Sequence, residues 1–227
     1  MADFDKFSSD YENILDKKAK IFGGSTEYFA GYKAKYVKDY LGAGFKGRIL
    51  DYGCGVGLVV RQLKKHFDKS DVEITGYDIS SGAVKAAARH IPDVMFTDDL
   101  TKVGRKPFDA VIIANVLHHV DAEERVTFLK DVAGLVKKNG YIFIFEHNPY
   151  NPLTKLIVKL CVFDKEATLL KLRDVAELMR KADIDIFEKR YIVFFPQALG
   201  ALRFLEPMLG RVAMGTQYLC VGKSQGA

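Results

Sequence analysis

Long apolar runs are missing from this chain. No stretch approaches the roughly 18–20 apolar residues of a helical membrane span, so no transmembrane helix is expected. The opening residues Met1-Ala-Asp-Phe-Asp5 hold neither a basic region nor an apolar core, so no secretory leader is expected either. Cysteine is scarce, three in 227 residues, and no two of them stand as C-x-x-C. That argues against a disulfide framework or a thiolate metal cluster, and for a reduced compartment, the cytoplasm. An arginine-rich arm is also lacking. The net charge of +5 comes from scattered lysines such as Lys17, Lys18, Lys64, Lys65, Lys137 and Lys138. These read as solvated helix faces and argue against nucleic acid as a partner. Repeats and low-complexity segments are absent, and 48% hydrophobic content over 227 residues suffices for one domain with a full core.

What is present is concentrated in Arg48–Gly57. Arg48-Ile-Leu-Asp reads as a short apolar strand ending in an acid, followed by glycines at 53, 55 and 57 and then a helix from Leu58 to about Phe67. Glycine lets the backbone take positive φ and lets a ligand approach with no Cβ in the way. The helix start offers unpaired N–H groups to such a ligand. A dinucleotide fingerprint needs G-x-G-x-x-G, which this spacing does not provide. Asp51, two residues before Gly53, would repel a pyrophosphate but welcome an ammonium or sulfonium group. The plain alternative is a tight strand–helix turn, with Cys54 a small packing residue inside it. That alternative leaves Asp51 unexplained.

The segment resembles motif I (D/E-x-G-x-G-x-G) of the class I S-adenosylmethionine-dependent methyltransferases. The resemblance implies a cofactor, S-adenosylmethionine, held by Asp51, Gly53, Cys54, Gly55 and Gly57. Further segments fit it. Val72–Ile79 is an alternating strand ending in Asp78, an acid placed to take both ribose hydroxyls or else to cap the helix starting near Ser81. Ile79 joins the cofactor set. Asp93–Leu100 looks like the third strand and the acidic turn that meets the adenine, with Asp98 and Asp99 competing for the role. Phe108–Val120 has the form of the family's motif IV. It implies Asn115 beside the methionine part of the cofactor, and His118 or His119 facing the methyl group or substrate. A core histidine beside a surface one is the competing reading of that pair.

Asp121 serves as a helix N-cap, with the helix running to Lys137-Lys138 and closing at Asn139-Gly140, before a fifth strand at Tyr141–Phe145. Strand–helix alternation of this kind builds a parallel sheet covered on both faces. The fold class expected is α/β, a Rossmann-like three-layer sandwich. Its sheet has seven strands, mostly parallel, with an antiparallel last strand. It carries a helical N-terminal lid (1–45), a cofactor-binding core (46–147) and C-terminal substrate-side insertions with the last strands (148–227).

In the lid, Tyr28, Tyr32, Tyr36 and Tyr40 recur every four residues, a core-facing stripe of an amphipathic helix. In the family, segments such as Tyr11 and the loop 22–25 fold over the cofactor. After the fifth strand, Glu146-His147-Asn148 emerge where the substrate sits, as substrate contacts or as ordinary turn residues before Pro149. Beyond them come apolar residues 156–163, a helix over 168–181, a strand over 184–195, a second apolar helix over 197–209, and a last strand at Tyr218–Val221. The helix from 198 to 209 either packs on the core or rests on a membrane interface.

Methyl transfer to oxygen needs alignment, exclusion of water and a base. His147, His119 and His118 are the candidates, since imidazole titrates near neutrality. No metal is expected, because no carboxylate and amide ligand set converges. The acceptor is expected to be a small molecule, a sugar-bearing metabolite or a lipid-linked one, the last with peripheral membrane contact. A methyltransferase-like partner subunit without activity is the non-enzyme alternative.

Overall fold

The apolar runs of the inner strands, such as Ala110–Ala114 and Tyr141–Phe145, have two faces to fill, and the chain fills both. The computed structural model describes residues 24–103, 106–160 and 168–225. Within them, β1 (Gly47–Tyr52), β2 (Val72–Tyr77), β3 (Met95–Thr97), β4 (Phe108–Ala114), β5 (Val136–His147), β6 (Ile184–Ile192) and β7 (Gln217–Ser224) form one sheet of seven strands. The order is β3-β2-β1-β4-β5-β7-β6. β1 to β5 pair in parallel, while β7 runs against both β5 and β6. The order reverses between β1 and β4, and ligands of such sheets bind at the carboxyl ends beside that reversal.

Alternation along each strand divides the core. Ile49, Ala110, Ile112, Phe143, Phe145, Leu219 and Val221 face one layer. There they meet α1 (Thr26–Leu41) and α2 (Leu58–Leu63). Leu50, Val111, Ile113, Ile142, Ile144 and Cys220 face the other. That layer is closed by α4 (Arg125–Gly134) and α6 (Leu172–Lys181), while α3 (Ser81–His90) follows β2. Phe143 and Phe145 are fully buried, and truncating either to alanine is expected to cost roughly 3–5 kcal/mol.

The tyrosine stripe of α1 packs as expected. Tyr40 meets Tyr141 and Phe143 edge-on, Tyr32 stacks on Tyr36, and Arg203 lies over the Tyr32 ring. The Tyr32 hydroxyl donates to Glu206, which ties α1 to the carboxyl-terminal segment.

Three expectations are corrected. α4 begins after Glu124 rather than at Asp121, and it stops at Gly134. Residues 137–140 belong to β5, as a bulge between the pairing of Val136 with Phe108 and that of Tyr141 with Ala110. Asn139 takes a φ of 64° there, and a Cβ on Gly140 would stand 2.6 Å from Val136 Cγ1. The same left-handed residue types serve a helix C-cap and such a bulge. The segment 197–209 is not one helix. A 3₁₀ stretch, Gln197–Leu205, is broken at Leu199, and Pro207, lacking an N–H, sits in the first turn of a separate short α7 (Glu206–Leu209). The apolar segment after α5 (Pro152–Leu160) passes outside the described residues, as do Tyr11 and residues 22 and 23 of the loop.

Candidate active site

β1 ends by turning sharply, and the turn is held from β2. The N–H groups of Gly53 and Cys54 both donate to the Tyr77 carbonyl, at 2.7 and 2.9 Å. Gly55 N–H donates to Asp78 Oδ2 at 2.7 Å, and the other Asp78 oxygen accepts from Ser80 N–H at 2.9 Å. Gly53 has a φ of 80°, and a Cβ there would lie 2.3 Å from Val116. Gly57, with a φ of 82°, is the left-handed N-cap of α2. Cys54 is buried, and burial with the nearby charges of Asp51 and Asp78 holds its thiol protonated. It packs and does not react. The cap of α3 is Ser80, not Asp78, since Ser80 Oγ accepts from Ala83 N–H.

Asp51 sits behind this loop, 1% exposed, and neither carboxylate oxygen has a hydrogen-bond partner. Burial first, then the charge of Asp78, pushes its carboxyl up to about 7, against the lowering influence of Lys33. A buried polar group with no partner costs free energy unless a ligand supplies one. A second buried acceptor in the same condition is Asn115 Oδ1 at the end of β4. Asn115 also has a φ of 59°, a strained conformation of the kind that clusters at ligand sites. Its N–H donates to the Phe145 carbonyl at 2.8 Å, which fixes the crossing from β4 to the next turn.

That turn is the 3₁₀ stretch Leu117–His119, and it meets the end of β5. Glu146 accepts from Leu117 N–H at 2.8 Å and lies 2.5 Å from His118 Nδ1. Their side chains are 1% and 0% exposed. The ring of His118 lies 4.1 Å from that of His119 and 5.5 Å from that of His147. The three histidines, 29 positions apart in the sequence at their extremes (118 to 147), thus form one cluster centred on His118, which Glu146 holds. His119 and His147 are half-buried and His118 is fully enclosed. Among the described residues no group of three His, Cys, Asp or Glu side chains is arranged to hold a metal ion.

Asn148 is placed elsewhere. Its amide donates to the carbonyls of Ala213 and Gly215 at 3.1 and 2.7 Å, and its oxygen accepts from Tyr150 N–H at 3.0 Å. It pins the 213–215 loop, with its amide and its oxygen both engaged by backbone groups. Glu146, also expected near the substrate, has its two oxygens on Leu117 N–H and His118 Nδ1. On the far side of the sheet, the Asp99 carboxylate caps the short 3₁₀ turn through Thr101 N–H and Oγ1, at 2.9 and 2.7 Å. Asp98 beside it is exposed, as is Ile79 next to Asp78.

Sequence reasoning missed Lys33. It is 4% exposed on the inner face of α1, where burial lowers its ammonium to about 8 while Glu146 and Asp51 support the charge. The available signal was its spacing: three residues after Ala30 and four before Val37, it falls on the apolar stripe.

Comparison with known proteins agrees with this geometry. Residues 50–142 match the family model of a methyltransferase domain. A ribosomal RNA small subunit methyltransferase C from Hahella chejuensis is 38% identical over 102 residues, which is 41% of this chain and 29% of the relative. A ubiquinone biosynthesis O-methyltransferase from Alkalilimnicola ehrlichii is 31% identical over 134 residues, 55% of this chain and 51% of the relative. The chain therefore spans about half or less of the length of these two relatives. A solved S-adenosylmethionine-dependent methyltransferase from Thermotoga maritima shares the fold, with a TM-score of 0.68 at 18% identity and 97% coverage of both chains.

Fold and family match make this chain similar to one class, the S-adenosylmethionine-dependent methyltransferases. The match spans residues 50–142, and the rest of the chain is similar to that class in fold. The residues present fit the cofactor of that class: an unpartnered buried carboxylate, Asp51, suits its ammonium.

Proposed function

We propose that this chain methylates an oxygen nucleophile on a small molecule or sugar-bearing metabolite. The observation that carries the reading is the gathering of His119, His147 and Glu146 around His118, beyond the carboxyl ends of β4 and β5. When bound, S-adenosylmethionine supplies an electrophilic methyl carbon. The protein's share is to hold the partners in line, exclude water and take the acceptor's proton. Asp51, Asn115 and Asp78 are the holding groups, with the glycine turn around them. Asp98 or Asp99, with Ile79, would border the adenine.

His118 is a positioning residue, locked by Glu146. His119 and His147, half-buried at the rim of the cluster, are the groups that reach an acceptor. The test is methyl incorporation from labelled S-adenosylmethionine into a panel of phenols, hydroxylated sugars and, because one relative is named for it, ribosomal RNA. Alanine at the base is expected to lower kcat by about 10²–10⁴ with cofactor affinity unchanged. Intact turnover in all three histidine variants would refute the assignment of the base.

A second reading, a lipid-linked acceptor approached at a membrane surface, is favoured by one observation. Phe204 and Met208 are 73% and 81% exposed, with Leu199, Leu202, Val212 and Met214 also open along the same segment. Asn151 Nδ2 donates to the Met214 carbonyl, which brings this segment beside exposed Tyr150 and Leu153. An apolar patch of this kind marks an interaction surface. Among the described residues no helix is long and apolar enough to cross a membrane, so contact would be peripheral, from the cytoplasm. Failure to sediment with anionic or neutral vesicles, with and without S-adenosylhomocysteine, would remove this reading. An inactive partner subunit is disfavoured, because it has no use for the unpartnered Asp51 or the strained Asn115.

A further inference from the structure

Lys33 is the buried charge that the proposed chemistry leaves unused. α1 presents it inward between Ala30 and Val37, both buried, onto the layer lined by Ile49, Ile112 and Phe143. Asp51 lies two residues beyond Ile49 on β1, so strand alternation directs it to that same layer. Asp51 and Glu146 are the acids whose charges act on the lysine. Neither Asp51 oxygen accepts a hydrogen bond, so the ammonium and this carboxylate, both buried and acting on each other by charge, are not closed into a hydrogen-bonded pair. Two desolvated opposite charges held apart are costly, and the cost falls when a group of matching bipolar charge enters between them.

We infer that Lys33 is the cation that reads the α-carboxylate of the cofactor's amino-acid end, while Asp51 takes the α-ammonium. The inference rests on the methyltransferase reading of the site. It makes α1 part of the binding site and not only a cover for the sheet. It also gives the site a means of choosing ligands: those with a zwitterionic tail are held at both charges, whereas adenosine and its simple thioethers are held at neither. Burial lowers the Lys33 ammonium, yet the two acids keep it near 8, so it is charged in most molecules at neutral pH. The plain alternative is that Lys33 only offsets Asp51 and Glu146, in which case the ligand's carboxylate would not matter.

The experiment is calorimetric titration of three ligands into wild type, Lys33→Met and Lys33→Arg. The ligands are S-adenosylhomocysteine, its decarboxylated counterpart that keeps the amine, and 5′-methylthioadenosine. Wild type is expected to bind S-adenosylhomocysteine about 10- to 100-fold more tightly than the decarboxylated ligand, the range for one charge-assisted contact. Lys33→Met should erase that preference and leave the decarboxylated ligand within about twofold, and Lys33→Arg should restore most of it. Equal affinity of wild type for the two amines overturns the inference without any variant, so a poorly folding Lys33→Met does not decide it. Undiminished S-adenosylhomocysteine binding by Lys33→Met overturns it as well. Wild type that binds none of the three adenosyl ligands refutes the methyltransferase reading itself, a different result from loss of the carboxylate preference.

Discussion

Glu146 and His118 meet at 2.5 Å, Oε2 to Nδ1, at the ends of two adjacent parallel strands, with both side chains sealed from solvent. Burial works to raise the Glu146 carboxyl, but the charges of His118 and His147 and the Leu117 N–H outweigh it and hold the group below its usual range. A carboxyl with a lowered folded pKa contributes stability above its unfolded pKa and loses it as pH falls through the folded value. Glu146→Gln is therefore expected to cost roughly 1–3 kcal/mol at pH 7. It should also flatten the loss of thermal stability below about pH 5. A variant whose acid limb runs parallel to wild type would contradict the pairing.

Asp51 carries the opposite sign. Its folded pKa, pushed up to about 7, lies above the unfolded one, so the folded state holds a proton that the unfolded state releases. Ligand-free stability should decline as pH rises from about 4 to about 7, then level off. Asp51→Asn should remove that decline, leaving the variant more stable at pH 7.5 by up to about 4 kcal/mol, and should weaken cofactor binding. Urea denaturation of both proteins at pH 5 and 7.5 measures the difference of differences. A pH-independent gap would show that Asp51 is not desolvated.

At Gly53 two penalties coincide, a φ of 80° and a Cβ position 2.3 Å from Val116 Cγ2. At Gly42 there is only the first, a φ of 87° with nothing within 4 Å of a Cβ. Gly42→Ala should cost about 1 kcal/mol, and Gly53→Ala roughly 1–3 kcal/mol more, with loss of cofactor affinity because the turn carries Gly55 to Asp78. Equal melting temperatures for the two variants would show that the turn relaxes freely.

Asn148→Ala should behave as a purely structural variant. Three hydrogen bonds to the 213–215 loop and Tyr150 are lost, worth roughly 2–3 kcal/mol together. S-adenosylhomocysteine affinity is expected to stay within about twofold. An unchanged melting temperature with a raised KM for the acceptor would return Asn148 to the substrate site.

Much of this was legible in the chain. The glycines at 53, 55 and 57 place the sharp turn after β1, because few other residues tolerate those backbone angles. The continuous apolar residues of β4 and β5 announce strands covered on both faces. The clustering of His118 with His147 followed from both standing at the ends of strands that pair in parallel. What stayed hidden depended on tertiary packing. Asn139-Gly140 reads equally as a helix stop or a bulge inside a strand, and only the pairing of Val136 with Phe108 decides. Asn148 looks like a substrate ligand until the 213–215 loop arrives from 65 residues away. Lys33 was masked by its tyrosine neighbours, whose four-residue period marks a different stripe from the one that reaches Asp51.

The most direct test of the account is calorimetric binding of S-adenosylmethionine and S-adenosylhomocysteine, beside NAD, to wild type and Asp78→Ala. The account predicts that wild type binds both adenosyl ligands and not NAD, and that Asp78→Ala weakens them at least about tenfold by removing the ribose acceptor and the tie to Gly55. A folded wild type that binds neither adenosyl ligand, or that prefers NAD, would contradict it.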